Sequence, residues 1–244
     1  MDAKREIDRI TAWIKDWFEK NGPKADAVIG ISGGKDSTII AALLVRALGK
    51  DRVVGVLMPN GVQADIADSK KVVDFLGIRN YIVNIAGAYD STIMELRDKI
   101  GEVSDDTRIN IAPRLRMMTL YAIAQSLPNG GRVINTCNGS EDYVGYSTKY
   151  GDSAGDMSPC ANYLVTEMLE IGDALGLPHE LVHKTPSDGL CGQTDEDKLG
   201  FTYAALDNYI RTGECDNEEV KANIDWRHKV NLHKILPMPT CERN

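Results

Sequence analysis

The chain has 244 residues, 43% hydrophobic and 26% charged, enough to bury a full core as one large domain and too apolar for a disordered chain. A net charge of -8 and a pI near 5.1 argue against a sequence-independent grip on nucleic acid, which needs Lys and Arg massed against phosphates. Five scattered cysteines without a C-x-x-C pair suggest neither a disulfide framework nor a zinc site, and Met1 to Lys20 mixes charge with apolar residues, unlike an export signal or membrane span, so a reducing cytoplasm with no membrane partner is expected.

Ile7, Ile10, Ile14, Trp17 and Phe18 recur at helical spacing until Asn21-Gly22-Pro23 stops them, predicting an amphipathic first helix. Ala27 to Ile31 is a short apolar run before a glycine turn, and Thr38 to Leu48 reads as a helix ended by Gly49. Val53 to Met58 then predicts a second strand, Ile66 to Leu76 a helix and Tyr81 to Ile85 a third strand. Helices over Ser91–Ile100 and Arg114–Ser126 precede a fourth strand, Arg132 to Thr136. This alternation predicts an α/β fold of the Rossmann-like kind, an open, mainly parallel sheet with helices on both faces. Ligands in such sheets lie beyond the carboxyl ends of the strands, which draws Ser32–Ser37, Met58–Gln63 and Thr136–Glu141 into one site. Tyr143 to Met157 and Lys184 to Asp197 are polar, glycine-containing stretches of the kind that carry function, and His228 to Asn244 is expected to be an extended tail.

Ser32-Gly33-Gly34-Lys35-Asp36-Ser37 follows a strand and opens a helix, so its amides and hydroxyls can surround a phosphate at the positive end of the helix dipole. The spacing matches neither G-x-x-x-x-G-K-[ST] nor G-x-G-x-x-G. The turn resembles the S-G-G-x-D-S loop of enzymes that split ATP between its α- and β-phosphates, the adenine-nucleotide alpha-hydrolase-like group. There Gly30 to Ser37 would bind ATP, with the Ser32 and Ser37 hydroxyls and Lys35 offsetting charge on the departing pyrophosphate. Asp36 would be repelled by bare phosphates unless a divalent cation stands between them, so it is assigned to Mg²⁺.

Further segments, from Val28 to Pro237, resemble the NAD synthetase family in their order. Met58-Pro59-Asn60-Gly61-Val62-Gln63 looks like its adenine-side loop, with Gln63 toward the base. Asn110 to Tyr121 resembles its N-x-x-x-R-x-R-M-x-x-x-Y helix, which implies that Arg114 and Arg116 face the nucleotides. Being two apart, the two would point roughly 200° apart on a formed helix, so the reading has the helix begin at Pro113. By the same resemblance Thr136 binds ATP and Glu141 joins Asp36 on magnesium. In Thr148-Lys149-Tyr150-Gly151-Asp152 with Asp156, Tyr146 would stack on the pyridinium of deamido-NAD⁺, Lys149 address its carboxylate and Asp156 complement its charge. Ser187 would meet ATP phosphates, and His233 with Lys234 would complete the dinucleotide site. The family usually offers ATP a lysine where this chain has Val165; the contact is then missing or supplied elsewhere, with Lys35 the candidate.

The resemblance implies that the deamido-NAD⁺ carboxylate attacks the ATP α-phosphorus and that ammonia then displaces AMP, giving NAD⁺. Asp36 and Ser37 would serve the first step, and Asp152 would accept a proton in the second. The synthetase motifs fill residues 1–244 as one domain, leaving no room for a glutaminase domain, so free ammonia is the expected donor. The family is homodimeric. The alternatives are a tRNA-modifying enzyme with the same loop, which needs a basic face this acidic chain lacks, and a non-catalytic ATP-binding protein.

Overall fold

The computed structural model describes residues 1–62, 66–183 and 194–243. Helix α1 (Ala3–Asn21) opens on Asp2, whose side chain accepts from the Arg5 amide, and ends at Gly22. It leads to β1 (Asp26–Gly30), α2 (Lys35–Leu48), β2 (Val53–Leu57), α3 (Ile66–Leu76), β3 (Arg79–Ile82), α4 (Ala86–Ile100), α5 (Asp105–Ser126) and β4 (Gly131–Ile134). The remainder is helical: α6 (Gly139–Val144), α7 (Val165–Ala174), α8 (His179–Val182), α9 (Asp195–Leu199), α10 (Tyr203–Thr212) and α11 (Glu218–Ile235).

The sheet order is β3-β2-β1-β4 and every pairing is parallel, with Val28 opposite both Val54 and Val133. Because successive side chains of a strand point to opposite faces, β1, β2 and β4 each feed two cores; edge strand β3 is exposed along its length. Ala27, Ile29, Val53, Leu57 and Ile134 pack with the apolar stripes of α1, α2 and α7. Val28, Val54, Val56 and Val133 pack on the other face against Leu115, Leu120 and Ala124 of α5. Helices therefore cover both faces of a parallel sheet, as the alternating pattern predicts.

Several boundaries differ from the sequence reading, among them α4, which begins at Ala86 and not Ser91. Helix α2 begins at Lys35, not Thr38, and β3 lies two residues earlier than expected. Helix α5 does not begin at Pro113; Ser104 caps it by accepting from the Thr107 amide, Asp105 and Asp106 complement the dipole, and Pro113 sits in its interior. The segment read as an extended tail is helix α11 as far as Ile235, capped by Asn217, which accepts from the Glu219 and Val220 amides. Only Ile224 of α11 is buried, so no apolar stripe announced it. Among the described residues, no helix is long and apolar enough to cross a membrane.

Candidate active site

The carboxyl ends of β1, β2 and β4 open into a cleft of about 300 Å³. Gly30, Ile31 and Ser32 form its floor, Met58 and Pro59 one side, and Arg116, Thr136 and Asp152 line it from three further segments. Residues assigned to ATP and to the acceptor thus share one cavity. Arg116 reaches it from α5 while its Nε donates to the Met58 carbonyl at 3.1 Å; Arg114, on another side of the same helix, donates to the Lys149 carbonyl at 3.3 Å. Gln63 and Ser187 lie outside the described residues.

The glycine turn is organised by its two serines. Ser32 Oγ lies 3.0 Å from Ser37 Oγ and accepts from the Gly34 amide at 3.2 Å, while Ser37 Oγ donates to the Gly34 carbonyl at 3.2 Å. Gly34 stands at the N-cap of α2 with no side chain to cap it, so no side-chain cap claims the first-turn amides beside the Ser32 end of the cleft. Gly33 has φ +80°, and a Cβ there would stand 2.8 Å from the Ser69 nitrogen of α3.

Behind the turn lies a cluster of charge. Lys35 is only 7% exposed, its Nζ 3.0 Å from Asp36 Oδ2 and 5.6 Å from the centre of the Tyr203 ring. Burial works against its charge, yet Asp36, Glu141 and Asp195 outweigh that and hold its pKa above the ordinary lysine value. Glu141, half-buried on α6, is pushed up to about 8, first by burial and then by the negative charge of Asp36, with Lys35 pulling the other way. Asn138 fixes that helix in a capping box: its side chain accepts from the Ser140 and Glu141 amides, and Glu141 reaches back to the Asn138 amide. Asp36 Oδ1, the Asn138 Nδ2 and the Tyr203 hydroxyl are all buried without a hydrogen-bond partner. Buried polar atoms are ordinarily satisfied, so three orphans around one pair of carboxylates mark a place for a further ligand. Among the described residues no group of three or more His, Cys, Asp or Glu side chains could hold a metal ion. Two carboxylates completed by phosphate oxygens and water nevertheless suit Mg²⁺, and the orphaned Asp36 oxygen fits that use.

Val165 is 6% exposed and packs with Val144, Leu199, Tyr203, Leu206 and Ile224. Its amide donates to Ser140 Oγ at 2.9 Å, and Ser140 in turn donates to buried Asp207, which also accepts from the Thr166 amide. Position 165 is a core position here, and the cation beside the carboxylates is Lys35.

On the acceptor side, Asp152 accepts from the Thr148 amide at 2.7 Å, and burial raises its pKa. Asp156 accepts from the Val133 amide at 2.7 Å and lies 3.4 Å from the Tyr121 hydroxyl, so its carboxylate also holds residues 156–157 against the end of β4. It borders a second hollow of about 280 Å³, together with Lys234, rather than the main cleft. Asn135 borders both cavities, and its Nδ2 donates to the Asp152 carbonyl at 2.8 Å. Tyr146 donates to Asp195 at 3.1 Å. Helix α11 braces this region: His228 Nδ1 lies 2.7 Å from the Tyr143 carbonyl, Asn231 donates to Val144, Lys234 to Gly145, and Lys149 to the His233 carbonyl. The His233 ring turns to the Val230 carbonyl at 2.9 Å and is exposed.

A sequence model described as NAD synthase matches residues 6–238, nearly the whole chain. The chain belongs to the NAD synthase family. An NH3-dependent NAD⁺ synthetase of Finegoldia magna is 39% identical over 236 residues, covering 96% of this chain and 94% of that one. Among solved structures, an NMN synthetase from Francisella tularensis superimposes with a TM-score of 0.91 at 32% identity, covering 100% of both chains. An NH3-dependent NAD synthetase from Campylobacter jejuni gives 0.80 at 27% identity, covering 99% of this chain and 100% of that one. Within this family member, the sequence motifs miss Asn135, Tyr203 and Asp207. Asn135 directly precedes Thr136 at the end of a strand and could have been found there; the other two sit on a helix without a motif.

Proposed function

We propose that the chain amidates deamido-NAD⁺ with free ammonia, consuming ATP and releasing AMP and pyrophosphate. The observation that carries this reading is the shared cleft: the Ser32 turn and Thr136 border the same cavity as Asp152. A carboxylate and an α-phosphorus held together there gain the rate of an intramolecular reaction. Family membership and the NH3-dependent names of the relatives support the donor and the reaction.

The α2 amides, Ser32 and Ser37 bind the β- and γ-phosphates and stabilise the pyrophosphate as it leaves. Asp36 and Glu141 would hold a Mg²⁺ ion, which when bound offsets the charge of those phosphates. Arg116 orients a nucleotide from α5. Asp152, whose raised pKa makes its carboxylate a stronger base, takes the proton that ammonia sheds as the amide forms. Ser187 and Gln63 complete the ATP site on the ground of the motif resemblance alone. Arg114, Tyr146, Lys149, Asp156, His233 and Lys234 are assigned to the acceptor by the motif resemblance; Asp156 and Lys234 border the second hollow, and Lys149 and Lys234 must exchange a backbone carbonyl for substrate.

The working unit is a homodimer of single-domain chains. Exposed apolar side chains on neighbouring α4 and α5, Met94, Ile100, Ile109 and Met118, supply surface for such a contact. The unpaired Cys137, Cys160, Cys215 and Cys241 suit a reducing cytoplasm.

A second reading keeps the chemistry and shortens the acceptor to nicotinate mononucleotide, favoured by the full-length superposition on the NMN synthetase at a TM-score of 0.91. One assay tests both: the chain with ATP, Mg²⁺, ammonium and either acceptor, products weighed by mass spectrometry. NAD⁺ formed faster than NMN supports the first reading and the reverse the second. Neither product, with no pyrophosphate released, overturns both.

A further inference from the structure

Lys35 has a position that the expected contact with phosphates does not explain. It belongs to the turn that would cradle phosphates, yet its side chain runs away from solvent, 7% exposed, to Asp36 at 3.0 Å and to the face of Tyr203. Asp36 and Asp195 each place a negative charge near it, and Glu141 lies within the same cluster. The other Asp36 oxygen remains orphaned, as does the Tyr203 hydroxyl. The ammonium thus satisfies half of Asp36 and leaves an acceptor open beside it.

We propose that Lys35 is a tethered cation that stands in for the divalent ion at Asp36 in the free protein and weakens that ion's binding until it is drawn away. The inference rests on the assignment of a metal to Asp36 and Glu141. An ammonium on one oxygen of a buried carboxylate opposes a divalent cation at the other, because their mutual repulsion is poorly screened there. The lysine stem is long and flexible and carries a point charge, so it can turn toward arriving phosphates where a rigid guanidinium fork would not. Phosphates draw Lys35 off Asp36 and thereby open the metal site, and the metal in turn favours Lys35 on the phosphates. The two bindings become coupled, and the coupling is reciprocal. An isolated metal ion gains little foothold, and the carboxylates remain neutralised without one.

The test is Mn²⁺ binding to the full chain, followed by water-proton relaxation, with and without ATP. Lys35→Gln and Lys35→Met remove the charge and keep most of the stem; Lys35→Arg retains the charge. Thermal melting identifies the folded variants, and either uncharged one serves. Expected is Mn²⁺ affinity without nucleotide about tenfold or more above wild type in the uncharged variant, with Lys35→Arg near wild type and with ATP raising Mn²⁺ affinity less than it does in wild type. Equal or weaker Mn²⁺ binding by the uncharged variant overturns the proposal. If no protein-bound Mn²⁺ is seen even with ATP, and Asp36→Asn changes nothing, it is the metal assignment itself that fails.

Discussion

The two adjacent glycines of the turn are required for different reasons, and replacing them one at a time separates the reasons. At Gly33 the backbone is left-handed, φ +80°, and a methyl group would stand 2.8 Å from the Ser69 nitrogen and 3.0 Å from Asp68 Cβ. A left-handed alanine costs about 1–2 kcal/mol. Crowding against the α3 backbone, which cannot swing aside, adds about 1–3 kcal/mol. At about 2–4 °C per kcal/mol for a chain of this length, Gly33→Ala should melt roughly 4–20 °C below wild type. Gly34 has φ -88°, and its added methyl would meet only Ser32 Oγ, at 3.3 Å. Its gain from a stiffer unfolded chain, about 0.4–1 kcal/mol, offsets the poorer N-cap, so Gly34→Ala should melt near wild type. That methyl lies in the phosphate cradle, so ATP affinity, measured by calorimetry, should fall about tenfold or more through lost amide contacts. A Gly33→Ala protein melting within about 2 °C of wild type, or a Gly34→Ala protein as unstable as Gly33→Ala, would refute the reasoning.

Three further substitutions probe the surrounding frame. Val165→Ala should cost about 1–3 kcal/mol in urea unfolding while leaving ATP affinity within a factor of about two, since Val165 is a packing residue; a large loss of affinity at unchanged stability would contradict that. Asp207→Asn should lose about 1–3 kcal/mol, because an amide cannot accept on both sides from Ser140 and Thr166; stability equal to wild type would show the network is dispensable. Asp152→Asn keeps an acceptor for the Thr148 amide and should melt like wild type, yet slow ammonia-dependent product formation by roughly 10²–10⁴. An unchanged rate would exclude Asp152 as the proton acceptor.

What could be read from the sequence was whatever depended on local pattern. Apolar runs of strand length between helical stripes determined β1 and β2, because parallel strands buried on both faces must be apolar throughout; β3, exposed along its length at the sheet edge, was placed two residues late. Strand ends bring ligand loops together, so Ser32, Met58 and Thr136 line one cleft. Helix α5 was mistimed because Pro113 was taken as a start signal over the stronger one, Ser104 followed by two acids. Helix α11 was missed because it packs through polar side chains on backbone carbonyls, which leave no hydrophobic period. The direction of the Lys35 side chain was beyond pattern altogether. It is set by Tyr203, 168 positions later in the sequence, and by acids on three separate elements.

The brace that α11 lays across Tyr143 to Lys149 also dictates an order of events. Its four links join residues 84 to 89 positions apart, and Gly145 fits it so closely that a Cβ would stand 2.2 Å from Asn231 Cβ. By contrast, β1 meets β2 and the glycine turn meets α3 across much shorter stretches. Closing long loops costs more entropy than closing short ones, so the glycine turn should take shape before the α11 brace closes. During refolding, protection of the β1–β2 and glycine-turn amides from exchange would return ahead of turnover, which waits for α11 to dock.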